Sequence, residues 1–311
     1  MGDLLKDKVA IVTGSGRGIG RGIALLLARE GAKVVVNDLG GSVDGTGDSA
    51  APADLVVSEI KEAGGAAIAN YNSVASMEGG EGIVQMALDN FGKLDIVVCV
   101  AGILRDRMLF NMTEDEWDSV IAVHLKGTFS VTKPASILFR QQKSGRIIAF
   151  SSGSGLFGNS GQANYGAAKD GIAGYIRAIA RDLGKYGVTA NAISPGADSR
   201  MTQTVPQSAR DIRSASGITS AGGGQPTPLE LNRDPEDVAP MVGWLVSDEA
   251  KDVNGHVFHC QGGQISLVNN PEEDRTLRKS SRWTVEELDA MFPGTLGVDM
   301  VNPAPPQEVK K

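Results

Sequence analysis

The sequence predicts a doubly wound α/β domain built on a parallel sheet of seven strands. Three observations carry that expectation. Short β-branched apolar runs recur at 9–13, 33–38, 66–70, 94–98, 146–150, 189–193 and 256–260. Several are apolar at nearly every position, as in strands covered on both faces. The segments between the early runs are long enough for crossover helices, and such strand–helix alternation builds a sheet with helices on both sides.

Taken in order, Val9-Ala10-Ile11-Val12-Thr13 runs into Gly14-Ser15-Gly16-Arg17-Gly18-Ile19-Gly20 and a helix over 19–30. The second strand is followed by a stretch rich in Gly, Asp and Ser over 40–53, which reads as a long loop. Helices over 51–63 and 77–91 flank the third strand. Thr113-Glu114-Asp115-Glu116 opens a helical stretch to 142 with a capping box, in which threonine and glutamate satisfy each other's free backbone N–H groups. Ala168, Ile172, Tyr175, Ile176, Ile179 and Leu183 mark one face of a helix after the fifth strand. Residues 1–263 are expected to form one domain, with a mobile substrate flap at about 197–233 that is richest in Gly and Pro over 214–228. Residues 264–311 are expected to be an extension, with a capped helix at Thr284-Val285-Glu286-Glu287 and a Pro-rich tail.

Composition bounds the function. Of 311 residues, 41% are hydrophobic and 22% charged, which excludes a mainly disordered chain. The formal charge of −7 argues against nucleic acid or an anionic membrane as the main partner. No run of about 18 apolar residues occurs and the start has no signal-peptide core, so a soluble, cytoplasmic chain is expected. Cys99 and Cys260 lie in apolar runs and read as buried reduced thiols. His256 and His259, three apart in a strand, point to opposite faces, and no metal site is expected.

The chemistry starts at the glycine turn. Glycines let the backbone approach a pyrophosphate, and the following helix N-terminus offers free N–H groups at the positive end of its dipole. A plain βα turn has the same composition; the buried strand before it and the amphipathic helix after it supply the context a dinucleotide site needs. Asp38 ends the second strand, where a carboxylate accepts from both hydroxyls of an adenosine ribose and repels a 2′-phosphate by roughly 2–7 kcal/mol. It favours NAD over NADP, with Arg17 as a counter-signal. Tyr165 and Lys169, four apart, stack on one helix face. Bringing a tyrosine from about 10 to about 7 needs about 4 kcal/mol, which an ammonium at about 4 Å supplies at an effective dielectric of about 20. Ser152, at the end of the fifth strand, reaches the same sheet edge.

Thr13-Gly14, Gly18, Gly20, Ser152, Tyr165-x-x-x-Lys169 and Pro195-Gly196 together resemble the short-chain dehydrogenase/reductase family over residues 6–263. The resemblance implies a Rossmann-type fold, a nicotinamide cofactor and a homo-oligomer, commonly a dimer or tetramer. It implies Tyr165 as general acid/base, Lys169 as the group that lowers its pKa and holds the nicotinamide ribose, and Ser152 as hydrogen-bond partner of the reacting oxygen. By position, Gly14, Arg17, Gly18, Ile19, Gly20, Asp38, Asn72, Ser73, Ala101, Gly102, Tyr165, Lys169, Pro195 and Gly196 would hold the cofactor, with residues 191–196 lining the nicotinamide side. The sequence departs from the family three times. Cys99-Val100 replaces two asparagines before Ala101-Gly102. His124 replaces the helical asparagine of a proton relay, either as a relay or as a buried ring that satisfies backbone groups. Asn72-Ser73 stands where the adenine side usually has Asp-Val.

A finer resemblance lies in Val34 to Gly41, Gly102 to Arg107, Val123 to Gly127, Gly161 to Tyr165 and Ser199 to Thr202. These runs are similar to the 3-hydroxyacyl-CoA dehydrogenase unit of peroxisomal multifunctional enzyme type 2 and its bacterial single-domain relatives. They imply NAD-dependent oxidation of a 3-hydroxyacyl-CoA in fatty-acid or sterol side-chain β-oxidation. Dehydrogenation of a steroid or other free alcohol (17β-hydroxysteroid type), reduction of a 3-oxoacyl carrier protein and a non-catalytic dinucleotide-binding scaffold stand as alternatives. Leu156, Phe157 and Met201 would receive an acyl chain or sterol, and Arg105, Arg107 and Arg200 would meet CoA phosphates or serve as surface charge.

Overall fold

The computed structural model describes residues 2–197 and 233–303. The expected flap, with Arg200 and Met201, and the end of the Pro-rich tail lie outside the described residues. The chain divides into two compact units, Met1–Val268 and Asn269–Lys311.

The first unit is an α/β sheet of eight strands in the order β3-β2-β1-β4-β5-β6-β7-β8. The strands are β1 (Val9–Thr13), β2 (Lys33–Asn37), β3 (Ala66–Asn70), β4 (Ile96–Cys99), β5 (Gly145–Phe150), β6 (Val188–Pro195), β7 (Val257–Gln261) and β8 (Gln264–Val268). The first seven run parallel. Every residue of β1, β4 and β5 is buried, because helices cover both faces. Alternate residues enter different cores. Ala10 and Val12 pack with Ile23 and Leu27 of helix α1 (Gly18–Arg29), Ile60 of α2 (Ala51–Glu62) and Leu245 near the chain's return to the sheet. Val9 and Ile11 pack on the other side with Ile83 of α3 (Met77–Phe91) and Phe139.

Thr13 pairs with Asn37 and Cys99, and Cys99 with Ala149, so the strands finish in register along one edge. The order reverses between β1 and β4, which opens a crevice at that edge.

Two expectations are corrected. The sheet has eight strands, not seven: residues 264–268, assigned to the extension, turn back through Gly262-Gly263 and pair antiparallel with β7. Gly262 takes the left-handed φ of 53° that such a two-residue link favours. The helical stretch 113–142 is not continuous. It divides into α4 (Glu114–Ile121), a π turn at Ala122–Lys126 and α5 (Gly127–Gln142). The Thr128 hydroxyl, in the first turn of α5, donates to the His124 carbonyl of that π turn at 2.8 Å. The capping box at Thr113 and Glu116 is present.

After β5 come the short α6 (Gly153–Leu156) and the long α7 (Ala163–Gly184), then α8 (Ala239–Leu245) before β7. The second unit holds α9 (Val285–Met291), capped by Thr284 and Glu287, with Lys279 ion-paired to Glu287. Among its described residues no hydrophobic side chain is buried. No helix among the described residues is long and apolar enough to cross a membrane.

Phe139 of α5 is fully buried, and Gly145 lies so near that a Cβ there would come within 2.3 Å of its ring. Phe139→Ala is expected to lower the unfolding free energy by about 3–5 kcal/mol, measured as a fall in the urea midpoint with an unchanged slope.

Candidate active site

The crevice begins where β1 ends. Gly14 and Gly18 take left-handed φ values of 65° and 53°. A Cβ on Gly14 would come within 2.6 Å of the Ala101 main chain, while around Gly18 no atom lies within 4 Å of that position. The turn is therefore packed from below and open above. At Gly20 a Cβ would collide with the Gly14 carbonyl at 2.1 Å, so α1 and β1 approach as close as glycine allows. The N-cap of α1, Arg17, is exposed, makes no side-chain cap, and no acidic residue stands in the first turn. Such a terminus fits a pyrophosphate.

Asp38 follows β2 and ties the turn: its carboxylate accepts from the N–H groups of Gly16 and Gly40, both at 2.7 Å. Thr13 Oγ1 accepts from Val100 N and Ala101 N at 3.2 and 3.3 Å, which holds the Ala101-Gly102 backbone against β1. Asn72 and Ser73 are exposed at the end of β3. The Asn72 amide is turned toward α3, where the missing side chain of Gly82 leaves room for it.

The second half of the site lies at the ends of β5 and β6. Ser152 caps α6, accepting from Ser154 N at 3.2 Å, and its hydroxyl is close enough to the Tyr165 phenol to pull its pKa down. Lys169, one turn further along α7, is buried and donates to the Phe150 carbonyl at 2.7 Å. Its Nζ stands 5.5 Å from the Tyr165 ring centroid. On the other side of Tyr165, the His124 ring meets it edge to face at a centroid distance of 5.1 Å. Glycine at 102 makes space for His124: a Cβ there would come within 2.3 Å of the imidazole. His124 Nε2 lies 3.1 Å from Ile103 N and 2.8 Å from Ile103 O, and the buried Nδ1 has no hydrogen-bond partner.

Burial dominates the electrostatics. It pushes the Tyr165 phenol up to about 12, with the Ser152 hydroxyl pulling it back and the Asp106 carboxylate adding to the rise. It pushes the Lys169 ammonium down to about 7. His124 falls to about 3 through burial and then the charge of Lys169, and the Cys99 thiol rises to about 12 through burial. The Ser152 hydroxyl favours the Tyr165 phenolate, and the Lys169 ammonium, when charged, stands on the same side of that balance.

The other sequence candidates divide. Leu156 is half-buried against the core, and Phe157, at the C-cap of the same short helix, is 60% exposed. Pro195 ends β6, and Gly196 donates to the Cys260 carbonyl at 2.8 Å, with the Gln261 side chain filling the space a Cβ would need. Asn191, expected among the nicotinamide-side residues, is fully buried and works inside the fold: it donates to the Val253 carbonyl and accepts from His256 N. Arg105 and Arg107 are engaged with carboxylates, Asp115 and Glu116, and Arg105 also donates to the Asp44 carbonyl. They act within the structure and do not form a free cationic patch.

Comparison with known proteins identifies the family. A family model described as Enoyl-(Acyl carrier protein) reductase matches residues 14–264. The chain belongs to the short-chain dehydrogenase/reductase family. A short-chain type dehydrogenase/reductase of Mycobacterium tuberculosis is 46% identical over 264 residues, 85% of each chain. The hydroxyacyl-CoA dehydrogenase ChsB1 of the same organism is 41% identical over 299 residues, 92% of this chain and 87% of that one. The mouse peroxisomal multifunctional enzyme type 2 is 44% identical over 261 residues, 84% of this chain but only 32% of the mouse protein. The crystal structure of a short chain dehydrogenase from Mycobacterium avium superposes with a TM-score of 0.81 at 41% identity, covering 99% of this chain and 98% of that one.

As a short-chain dehydrogenase/reductase, this chain is an oxidoreductase with a dinucleotide-binding fold that implies NAD or NADP. Sequence reasoning gave no role to Gln162 and Asn164, although both stand in the run that ends at Tyr165. Gln162 donates to Asp106 at 2.8 Å, and Asn164 Oδ1 accepts from Tyr165 N at 2.7 Å. The available signal was two amides within three residues of Tyr165.

His124 is neutral near pH 7, and its folded pKa of about 3 lies below the usual 6.5. Its contribution to stability is therefore present above pH 6.5 and lost as pH falls toward 3. His124→Asn should flatten that acid limb, where the titration accounts for up to about 4 kcal/mol. Denaturant midpoints measured from pH 7 to pH 3 for both proteins check this.

Proposed function

We propose that this enzyme oxidises a 3-hydroxyacyl-CoA to the 3-oxoacyl-CoA with NAD, in the β-oxidation of a fatty acid or sterol side chain, in the cytoplasm. The observation that carries the reaction type is the convergence of Ser152, Tyr165 and Lys169 beside a glycine turn closed by Asp38. The names of the relatives in mouse and in M. tuberculosis support the acyl-CoA substrate.

Bound nicotinamide supplies the acceptor for the hydride. Tyr165, as phenolate, takes the proton of the secondary hydroxyl. Ser152 donates to the reacting oxygen, a fixed dipole aimed where charge develops. Lys169, at about 7, is poised to lose and regain a proton near neutrality. We assign the onward transfer of that proton to a relay through the ribose hydroxyl, Lys169 and water, in which His124 takes part as a neutral ring whose unpartnered Nδ1 lies at the same buried centre. The glycine turn and the α1 N-terminus hold the pyrophosphate, and Asp38 holds the adenosine ribose. Its anion disfavours a 2′-phosphate and with it NADP. Leu156 and Phe157 line the start of the path for an apolar tail. Exposed Phe129 and Ile137 on α5 support self-association.

The test is the appearance of reduced nicotinamide, with NAD or NADP, on short, long and sterol-side-chain 3-hydroxyacyl-CoA substrates, each beside its free alcohol. Turnover with NAD that requires the thioester is expected. Oxidation of free steroid alcohols alone, or a preference for NADP, overturns the substrate reading; the second result points to a carrier-protein reductase. Tyr165→Phe is expected to lower kcat about 10³-fold with NAD affinity unchanged, and full turnover by this variant would leave only a dinucleotide-binding scaffold. Asp38→Ser is expected to raise NADP affinity at least tenfold relative to NAD, measured by quenching of protein fluorescence.

A further inference from the structure

We propose that Asn164 is a positioning residue for Tyr165, holding the first turn of α7 against the 105–107 segment so that the phenol meets Ser152. The inference rests on the reading of Tyr165 as the proton acceptor.

Asn164 is fully buried, and its amide makes three hydrogen bonds. Nδ2 donates to the carbonyls of Arg105 and Glu116, each at 2.9 Å, while Oδ1 accepts from Tyr165 N at 2.7 Å. Tyr165 is the third residue of α7, where a helical N–H has no partner within its own helix. Asn164 supplies that partner and with the same group grips two other elements.

Neighbouring bonds reinforce the grip. Gln162 Nε2 donates to Asp106 Oδ2 at 2.8 Å, and Arg107 N donates to the Gly161 carbonyl at 2.8 Å. Residues 105, 106 and 107 thus each hold one of residues 161–164. Glu116 is fixed in turn, because its carboxylate accepts from Arg107 Nε at 2.7 and 2.9 Å and from Thr113 N at 2.9 Å. Arg107, offered by the sequence as a phosphate ligand, thus belongs through Glu116 to the support of Tyr165.

Ser152 follows β5 and is not part of this network. The contact between Ser152 and the phenol therefore depends on where the first turn of α7 is held. A displacement of about 1 Å at a reacting group costs about 10²-fold in rate. Displacement of the phenol from Ser152 also removes a neighbour that favours the phenolate.

The experiment compares Asn164→Ala, Asn164→Ser and Tyr165→Phe with the wild type, saturated with NAD, on the secondary alcohol that the wild type oxidises best. Asn164→Ala is expected to lower kcat about 100-fold and leave both KM values within twofold. Its pH–rate profile should move to higher pH by about one unit. Asn164→Ser, whose hydroxyl can serve one of the two carbonyls, should recover part of kcat. Wild-type kcat with a wild-type pH profile in Asn164→Ala overturns the proposal. So does a loss that matches the folded fraction with the pH profile unmoved. If the alanine variant does not fold, the serine variant is judged by the same two criteria. Tyr165→Phe decides the underlying reading separately: if it turns over like the wild type, Tyr165 is not the proton acceptor, whatever the Asn164 variants do.

Discussion

The constraint around which the site is arranged is the burial of the Lys169 ammonium. Removing a cation from water is costly unless it is hydrogen-bonded, and the fold answers with the Phe150 carbonyl at 2.7 Å. The bond joins α7 to the end of β5. The Ser151 hydroxyl repeats the link by donating to the Lys169 carbonyl at 2.9 Å. The groups around the ammonium are kept neutral: His124 loses its proton readily, and Cys99 keeps its own. A centre of this kind concentrates a single titratable cation beside the phenol, in a medium where its charge acts strongly.

Asp38 plays the corresponding part on the cofactor side. By accepting from Gly16 and Gly40 it closes the glycine turn and starts the loop that follows β2. That loop is not a loose insertion. Leu104 N donates to the Val43 carbonyl at 2.9 Å, Arg105 reaches the Asp44 carbonyl, and a Cβ on Gly45 would touch Ile103. The segment beyond β4 is therefore held by the cofactor-side loop at one place and by α7 at the next. The two halves of the site share one piece of backbone, residues 101–107.

His124 shows how a departure from the family pattern is accommodated. An imidazole is larger than the amide it replaces, and here it occupies a π turn against the bare backbone of Gly102. One nitrogen is satisfied by Ile103, and the other has no hydrogen-bond partner.

The sequence by itself determined what depends on neighbours along the chain. Apolar runs marked seven of the eight strands, Thr113 and Glu116 announced their capping box, and the glycines announced the turn, since periodicity, capping and left-handed φ are local properties. The spacing of Tyr165 and Lys169 was legible for the same reason. Only the tertiary structure decided how Ser152, Lys169 and His124 surround the phenol, that Asn191, Arg105 and Arg107 work inside the fold, and that residues 264–268 complete the sheet. It also decided that burial raises Tyr165 and lowers Lys169. Desolvation and pairing are set by which distant segments pack together, and no window of sequence contains both sides of such a contact.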